Sequence, residues 1–263
     1  MSPLGVAHLT ALELAPLELV REAARAGFDA VGLRLHPAMP GGVAYPLRPA
    51  STELAQLRQA LGNEGMVVND IEFIALTPDV NLAAVPWMLE TGASLGAHSL
   101  TVSGDDPDSG RLAARFAALC ELAAPLGLVV NLEFMRWRVV GNLSQALAVV
   151  EAAGQANGGI LVDALHLFRA GNTVAEVAQA PRHWLHDVQS CDAPFEAPTG
   201  DRIVQEAREG RLLPGEGGLP LQALLAALPV GIRFSAEVPR PVPDAQVRLE
   251  QAASSARALI DAR

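Results

Sequence analysis

Four short apolar runs in this chain each carry, at or near the carboxyl end, a side chain able to hold a hard cation. They are Leu128-Val-Val-Asn-Leu-Glu133, Ile160-Leu-Val-Asp163, Val188-Gln189 and Phe234-Ser-Ala-Glu237. Three carboxylates and a carboxamide form an all-oxygen donor set, which suits Mg²⁺, Mn²⁺ or Co²⁺ better than a thiolate-type zinc site. Without a cation, three carboxylates brought together would repel, and at least one would take up a proton. Glu133, Asp163, Gln189 and Glu237 are therefore the candidate metal ligands. Glu133 and Glu237 are also candidates for moving a proton next to a metal-polarised carbonyl.

Other side chains fall at positions from which they could join this set. His166 follows Asp163 by three residues, about one helical turn, so it can face the same space as a proton shuttle or donor. Arg208 and Arg211 precede the loop Pro214-Gly215-Glu216-Gly217 and could hold a substrate carboxylate or phosphate. Arg34, Arg136 and Arg138, which sit after strands two and five, are weaker candidates of the same kind. His8 and Glu72 lie at the ends of further strand-like runs and could meet substrate hydroxyls. His183 and His186 have metal-like spacing but sit at the start of a strand, so they read as structural.

The elements that must position these groups alternate along the whole chain. Candidate strands run 5–9, 30–35, 66–73, 98–102, 128–134, 159–163, 184–190 and 231–238. Between them lie stretches with helical spacing at 16–26, 52–64, 82–92, 110–125 and 143–153. Gly27, Gly65 and Gly127 each stand as a helix stop directly before a strand. Eight such units of about 33 residues match the size of a β/α repeat. No Gly-x-Gly-x-x-Gly turn follows the first strand, which argues against a dinucleotide-binding sheet. The expectation is a single (β/α)8 TIM barrel spanning residues 1–263, with its site at the carboxyl ends of the strands. Inside it, Asp187 and Arg233 should pair, because an unpaired buried charge is costly.

Composition removes whole classes of chemistry. All nineteen basic residues are arginine, so neither a P-loop nor Schiff-base catalysis on an ε-amine is open to this chain. The formal charge of −10 and the lack of basic clusters argue against a nucleic-acid groove. Cys120 and Cys191 form no CxxC pair, and nothing suggests a disulfide. No apolar run reaches a membrane-spanning length, and no segment reads as a signal peptide. A cytoplasmic protein without membrane or nucleic-acid partners is expected, one that could form a homo-oligomer. On that reading the sequon Asn142-Leu143-Ser144 stays unmodified.

The order of these motifs resembles the sugar-phosphate isomerase/epimerase, or xylose-isomerase-like, TIM barrels. The resemblance rests on Ala26-Gly27-Phe28-Asp29-Ala30-Val31, Leu132-Glu133, Val162-Asp163-x-x-His166, Val188-Gln189-x-x-Asp192-Ala193-Pro194, Pro214-Gly215-Glu216-Gly217 and Ala236-Glu237-Val238. It implies a divalent metal held by Glu133, Asp163, Gln189 and Glu237. It further implies an isomerase or epimerase that abstracts a proton next to the carbonyl of a sugar, sugar acid or cyclic polyol. Gln189, in place of the common His, and the segment around Asp192-Ala193-Pro194 also resemble 3-dehydroshikimate dehydratases, which makes a lyase the alternative. Those dehydratases carry an Arg after strand three and a His after strand five, and this chain has neither. A non-catalytic family member is the least favoured reading, since no metal-ligand position is lost.

Overall fold

The structure, a computed structural model, describes residues 3–262. Helix stops fall where the glycines predict them. Gly27 and Gly65 adopt φ of 91° and 67°, a left-handed conformation that a side chain would strain, and each cap N–H closes the preceding helix. Each glycine turns the chain directly into a strand.

The strands are β1 (Leu4–Val6), β2 (Ala30–Arg34), β3 (Val67–Leu76), β4 (Ser99–Gly104), β5 (Val129–Glu133), β6 (Gly158–Asp163), β7 (Leu185–Ser190) and β8 (Arg233–Ala236). The helices are α1 (Pro16–Ala26), α2 (Thr52–Glu64), α3 (Pro86–Ser94), α4 (Ser109–Ala123), α5 (Leu143–Ala153), α6 (Ala164–Arg169), α7 (Val174–Gln179), α8 (Arg202–Glu209), α9 (Leu221–Ala227) and α10 (Ala245–Asp261). All strands are parallel and close into a barrel in sequence order, β8 returning to β1. This is the (β/α)8 barrel that the alternation predicts. None of the described helices is long and apolar enough to cross a membrane.

Several boundaries differ from expectation for local reasons. The first strand stops at Val6, and His8–Ala11 turns into a 3-10 helix. The stretch 82–92 is broken by Pro86, which cannot continue a helix from its preceding turn but is well placed to start one; α3 begins there.

Apolar residues from the strands and the inner helix faces form one continuous cluster between sheet and helices. The barrel interior, in contrast, is largely polar. Asn69, Asp70, Ser99, Thr101, Asn131, Asp187, Gln189 and Ser235 are all buried. Glycines make room for them: a Cβ on Gly5 would collide with Asn69 Nδ2 and come within 2.6 Å of Ser235 Oγ. Asp187 does not form the expected ion pair with Arg233. It instead accepts hydrogen bonds from Ser99 Oγ at 2.7 Å and Asn131 Nδ2 at 2.6 Å, while Arg233, half-buried, acts on it only through space. His186 is structural, bonded to Asn131 and the His183 carbonyl.

Candidate active site

Strand alternation aims the rim side chains into one space. In register, Asp163 lies beside Gln189 and Gln189 beside Ser235, so these side chains leave the same face of the sheet. Glu133 ends β5, and Glu237 follows β8 directly, its N–H bonded to the Ser190 carbonyl at 3.0 Å. A cavity of about 310 Å³ opens at this end of the barrel, with Arg34, Glu72, Glu133, His166, Arg211 and Glu237 on its buried floor.

Asp163 has two tasks. As N-cap of α6 its Oδ1 accepts the His166 N–H at 2.9 Å, which fixes the start of the helix. Its Oδ2 accepts from Arg211 Nη1 at 2.5 Å. The same short helix therefore places His166. Ligand atoms of Glu133, Asp163 and His166 lie within 4.8 Å of one another, a grouping able to hold a metal ion. His166 Nε2 is 3.6 Å from Glu133 Oε1, its Nδ1 is buried without a partner, and Trp137 meets the ring edge-on at 5.0 Å.

The proton affinities diverge as a divided acid–base site requires. Burial, then Glu237 and Asp163, push the Glu133 carboxyl well above the ordinary range. Burial also drives Glu237 up to about 8, against the pull of Arg211. Burial pushes Asp163 up too, but Arg211 and His166 beside it more than reverse this and hold it low. His166 is driven down to about 4 by burial and is neutral near pH 7. Its approach to Glu133 is thus a neutral contact, open to hydrogen bonding or metal binding, and no ion pair.

The remaining expected residues fall into distinct places. Arg211 is fully buried instead of reaching out to substrate from the loop. Its guanidinium bridges Asp163 and Glu237, the latter at 2.8 Å, and its Nε bonds the Ala207 carbonyl of α8. Arg34 pairs with Glu72 at 3.0 Å on the floor. His8 has no free nitrogen for a substrate hydroxyl: Nε2 meets the Leu14 carbonyl, Nδ1 accepts the Arg34 N–H, and Tyr45 stacks on the ring. Arg208 is exposed at the mouth, where it forms no ion pair among the described residues. Gln189 lies just beneath the floor, beside Asp187 and Ser235, with its buried Oε1 unpartnered. Arg136 is exposed and bonds the Arg169 carbonyl, whereas Arg138 lines the cavity, anchored to Asp105 at 2.8 Å.

Sequence reasoning did not single out Leu9, Met39 or Trp137, which wall the cavity. Trp137 follows Glu133 by four residues in a loop, a signal that was available. Met39 lies in a long loop with no pattern to mark it.

The donor set fits a divalent ion. With all four ionised, the buried carboxylates Glu72, Glu133, Asp163 and Glu237 would exceed the two buried arginines, Arg34 and Arg211, by two negative charges, an excess that Glu133 and Glu237 relieve by holding protons when no cation is bound. Gln189 Oε1 and His166 Nδ1 are neutral donor atoms without partners. A divalent cation would satisfy both deficits.

A closed eight-stranded barrel with an acidic, cation-ready rim defines a class of proteins before any relative is considered. Residues 20–261 match the xylose isomerase-like TIM barrel family, and the chain belongs to it. It is 32% identical over 141 residues to a 3-dehydroshikimate dehydratase of Pseudomonas aeruginosa, a match covering 53% of this chain and 22% of that protein. Over 112 residues it is 30% identical to an inosose isomerase of Halalkalibacterium halodurans, covering 42% of this chain and 38% of that protein. The chain thus spans only about a fifth and two fifths of these curated relatives. Among solved structures, the IolI protein with a bound zinc atom superposes with a TM-score of 0.80 at 20% identity, covering 99% of this chain and 98% of that one. A D-psicose 3-epimerase does so with a TM-score of 0.71 at 15% identity, over 98% and 97% of the chains. At these identities the structural likeness speaks for the fold.

Proposed function

We propose that the protein is a divalent-metal-dependent isomerase or epimerase acting on the carbon next to a carbonyl. The observation that carries this reading is a pair of buried carboxylates, Glu133 and Glu237, with raised proton affinity at one cavity floor. Glu133, Asp163, His166 and Glu237, with Gln189 beneath them, would hold the ion. When bound it would polarise the substrate carbonyl and stabilise the charge that develops on its oxygen.

The chain's own residues account for the proton traffic. A carboxyl that titrates near neutral pH can both accept and return a proton, as Glu237 can. His166, a neutral imidazole with Nε2 3.6 Å from Glu133, would serve either as a ligand to the ion or, where the ion leaves it free, as a donor to a substrate oxygen. Arg211 fixes one oxygen of Glu237 and leaves the other for the reacting centre. Removal on one face and return on the other inverts a stereocentre; return to the neighbouring carbon isomerises. If a hydroxyl lies β to the carbonyl, the same intermediate expels water.

That elimination is the second reading, favoured by the similarity to the dehydratase over 141 residues. The structure adds that an arginine from strand two, Arg34, stands against Glu72 in strand three. A cation therefore occupies the neighbourhood where the sequence after strand three supplies none.

Metal-loaded protein incubated in D₂O with inosose and with 3-dehydroshikimate tests both readings. Deuterium at a carbon next to the carbonyl without loss of water supports isomerisation, and a new conjugated absorbance supports dehydration. If neither substrate exchanges or reacts, or if Glu133→Gln reacts as fast as the parent, the assignment fails.

A further inference from the structure

Arg169 and Glu206 do not line the cavity, yet they form a buried ion pair between two of the helices that serve it. Arg169 is the last residue of α6 and is buried. Its Nε and Nη2 donate to Glu206 Oε2 and Oε1, both at 2.8 Å, and Nη2 donates also to the Pro194 carbonyl at 2.7 Å. A two-pronged bond of this kind fixes direction as well as distance. It joins α6 to α8 and to the loop after β7.

Helix α8 depends on such a tie. Eight residues are too few for a helix to hold itself in water, so its contacts with the rest of the chain must keep it in place. Ala207 is its only buried residue; Ile203, Val204 and Glu206 are half-buried and the others exposed.

The group that follows α8 most closely is the Arg211 guanidinium. The backbone around Arg211 is anchored elsewhere: its N–H donates to the Pro239 carbonyl at 3.2 Å, and Leu212 exchanges bonds of 2.8 and 2.9 Å with Asp192. The side chain is not so anchored. Its Nε donates at 2.8 Å to the carbonyl of Ala207, the residue next to Glu206, while its Nη atoms meet Asp163 and Glu237. The circuit closes through α6, which Asp163 caps at one end and Arg169 completes at the other.

We propose that Arg169 and Glu206 are positioning residues. By holding α8 they keep the Arg211 guanidinium on Asp163 and Glu237, and so set how tightly the cavity floor takes up a divalent cation. This rests on the proposed function, in which those two carboxylates hold the ion. Arg211 and the ion call on the same carboxylates, so slackening one favours the other.

Calorimetric titration with Mn²⁺ alone, on the parent, Glu206→Gln, Arg211→Gln and the double variant, tests the proposal. Glu206→Gln should tighten Mn²⁺ binding by about threefold or more, the low end of coupling within one bonded network. The same change made in Arg211→Gln should do nothing, because the side chain through which it acts is gone. Arg169→Lys, which keeps the charge and loses the fork, should reproduce the Glu206→Gln effect; it also serves should Glu206→Gln fail to fold by far-UV circular dichroism. A merely structural pair would lower the melting temperature in every background and leave Mn²⁺ affinity alone. Unchanged affinity in both Glu206→Gln and Arg169→Lys, or an effect of equal size with and without Arg211, would overturn the proposal. If Arg211→Gln alters Mn²⁺ affinity while those two variants do not, the floor keeps its metal assignment and the positioning role falls. If the parent itself binds no Mn²⁺ at millimolar concentration, both fall.

Discussion

Replacing Arg211 by Gln removes a cation that bridges two carboxylates on the cavity floor. Asp163 Oδ2 at 2.5 Å and Glu237 Oε2 at 2.8 Å lose their charged partner, and α8 loses the bond from Arg211 to the Ala207 carbonyl. Leaving a buried charge without its partner costs about 3–5 kcal/mol. The variant is best compared at pH 8, where Glu237 is about half ionised. With an unfolding entropy of about 2.1 cal/mol/K per residue, a chain of 263 residues loses roughly 5–9 °C of melting temperature. Mn²⁺ should then do what Arg211 no longer does. Its binding should be at least tenfold tighter in the variant, and its stabilising effect on the melting temperature correspondingly larger, since stabilisation grows with the logarithm of ligand over Kd. Differential scanning fluorimetry with and without Mn²⁺, backed by calorimetric Kd values, reads both effects. Equal melting temperatures for parent and variant without metal would refute the bridging role. Weaker Mn²⁺ binding in the variant would show that Arg211 holds the ligands in place and does not compete for them.

Three further outcomes follow from the site and the barrel beneath it. Glu237, with an ordinary value of 4.5 and about 8 when folded, keeps its proton longer in the folded state, so its contribution to stability falls as pH rises between those values. His166, lowered from 6.5 to about 4, works the opposite way below 6.5, so the melting temperature of the metal-free protein should fall between pH 6.5 and 8.5, and Glu237→Gln or added Mn²⁺ should flatten that fall. Asp163→Asn should lose at least tenfold in Mn²⁺ affinity by calorimetry yet keep its far-UV circular dichroism, because an Asn can still cap α6. Gly5→Ala should destabilise by about 1–3 kcal/mol in urea unfolding, since its Cβ would collide with Asn69 and Ser235 inside the barrel.

Much of this architecture could be read before any coordinates. Helices α1, α2 and α5 carry enough turns for their apolar spacing and glycine stops to mark both ends, and their observed bounds match the expected ones. The rim positions Glu133 and Asp163 were legible because a polar group ending an apolar run has few places to go in a closed barrel. Helices α6 to α9 were not legible: at six to eight residues they show too little periodicity. Arg211 was placed in the right neighbourhood but given the wrong partners. Its direction is set by how α8 packs, and sequence spacing does not encode that. His8 fails for a related reason, since the chain turns into a 3-10 helix just there and both ring nitrogens are consumed locally. The polar filling of the barrel also eluded the reading, because a buried Ser or Asn in a strand looks the same as one facing water.

One oxygen of Asp163 caps α6, and the other is held by Arg211 at the cavity floor. The side chain can therefore offer a cation only a single oxygen while α6 stays capped. It also means that position 163 has almost no room to drift. Glu would have to rebuild the helix start, and Ala would lose both tasks. Asn or Ser could keep the cap while discarding the charge, at the cost of taking from buried Arg211 its Asp163 partner. On the proposed function, a lineage that gave up the cation could pass through the change Asp163→Asn, so the residue at this one position would show whether a descendant barrel can still hold one.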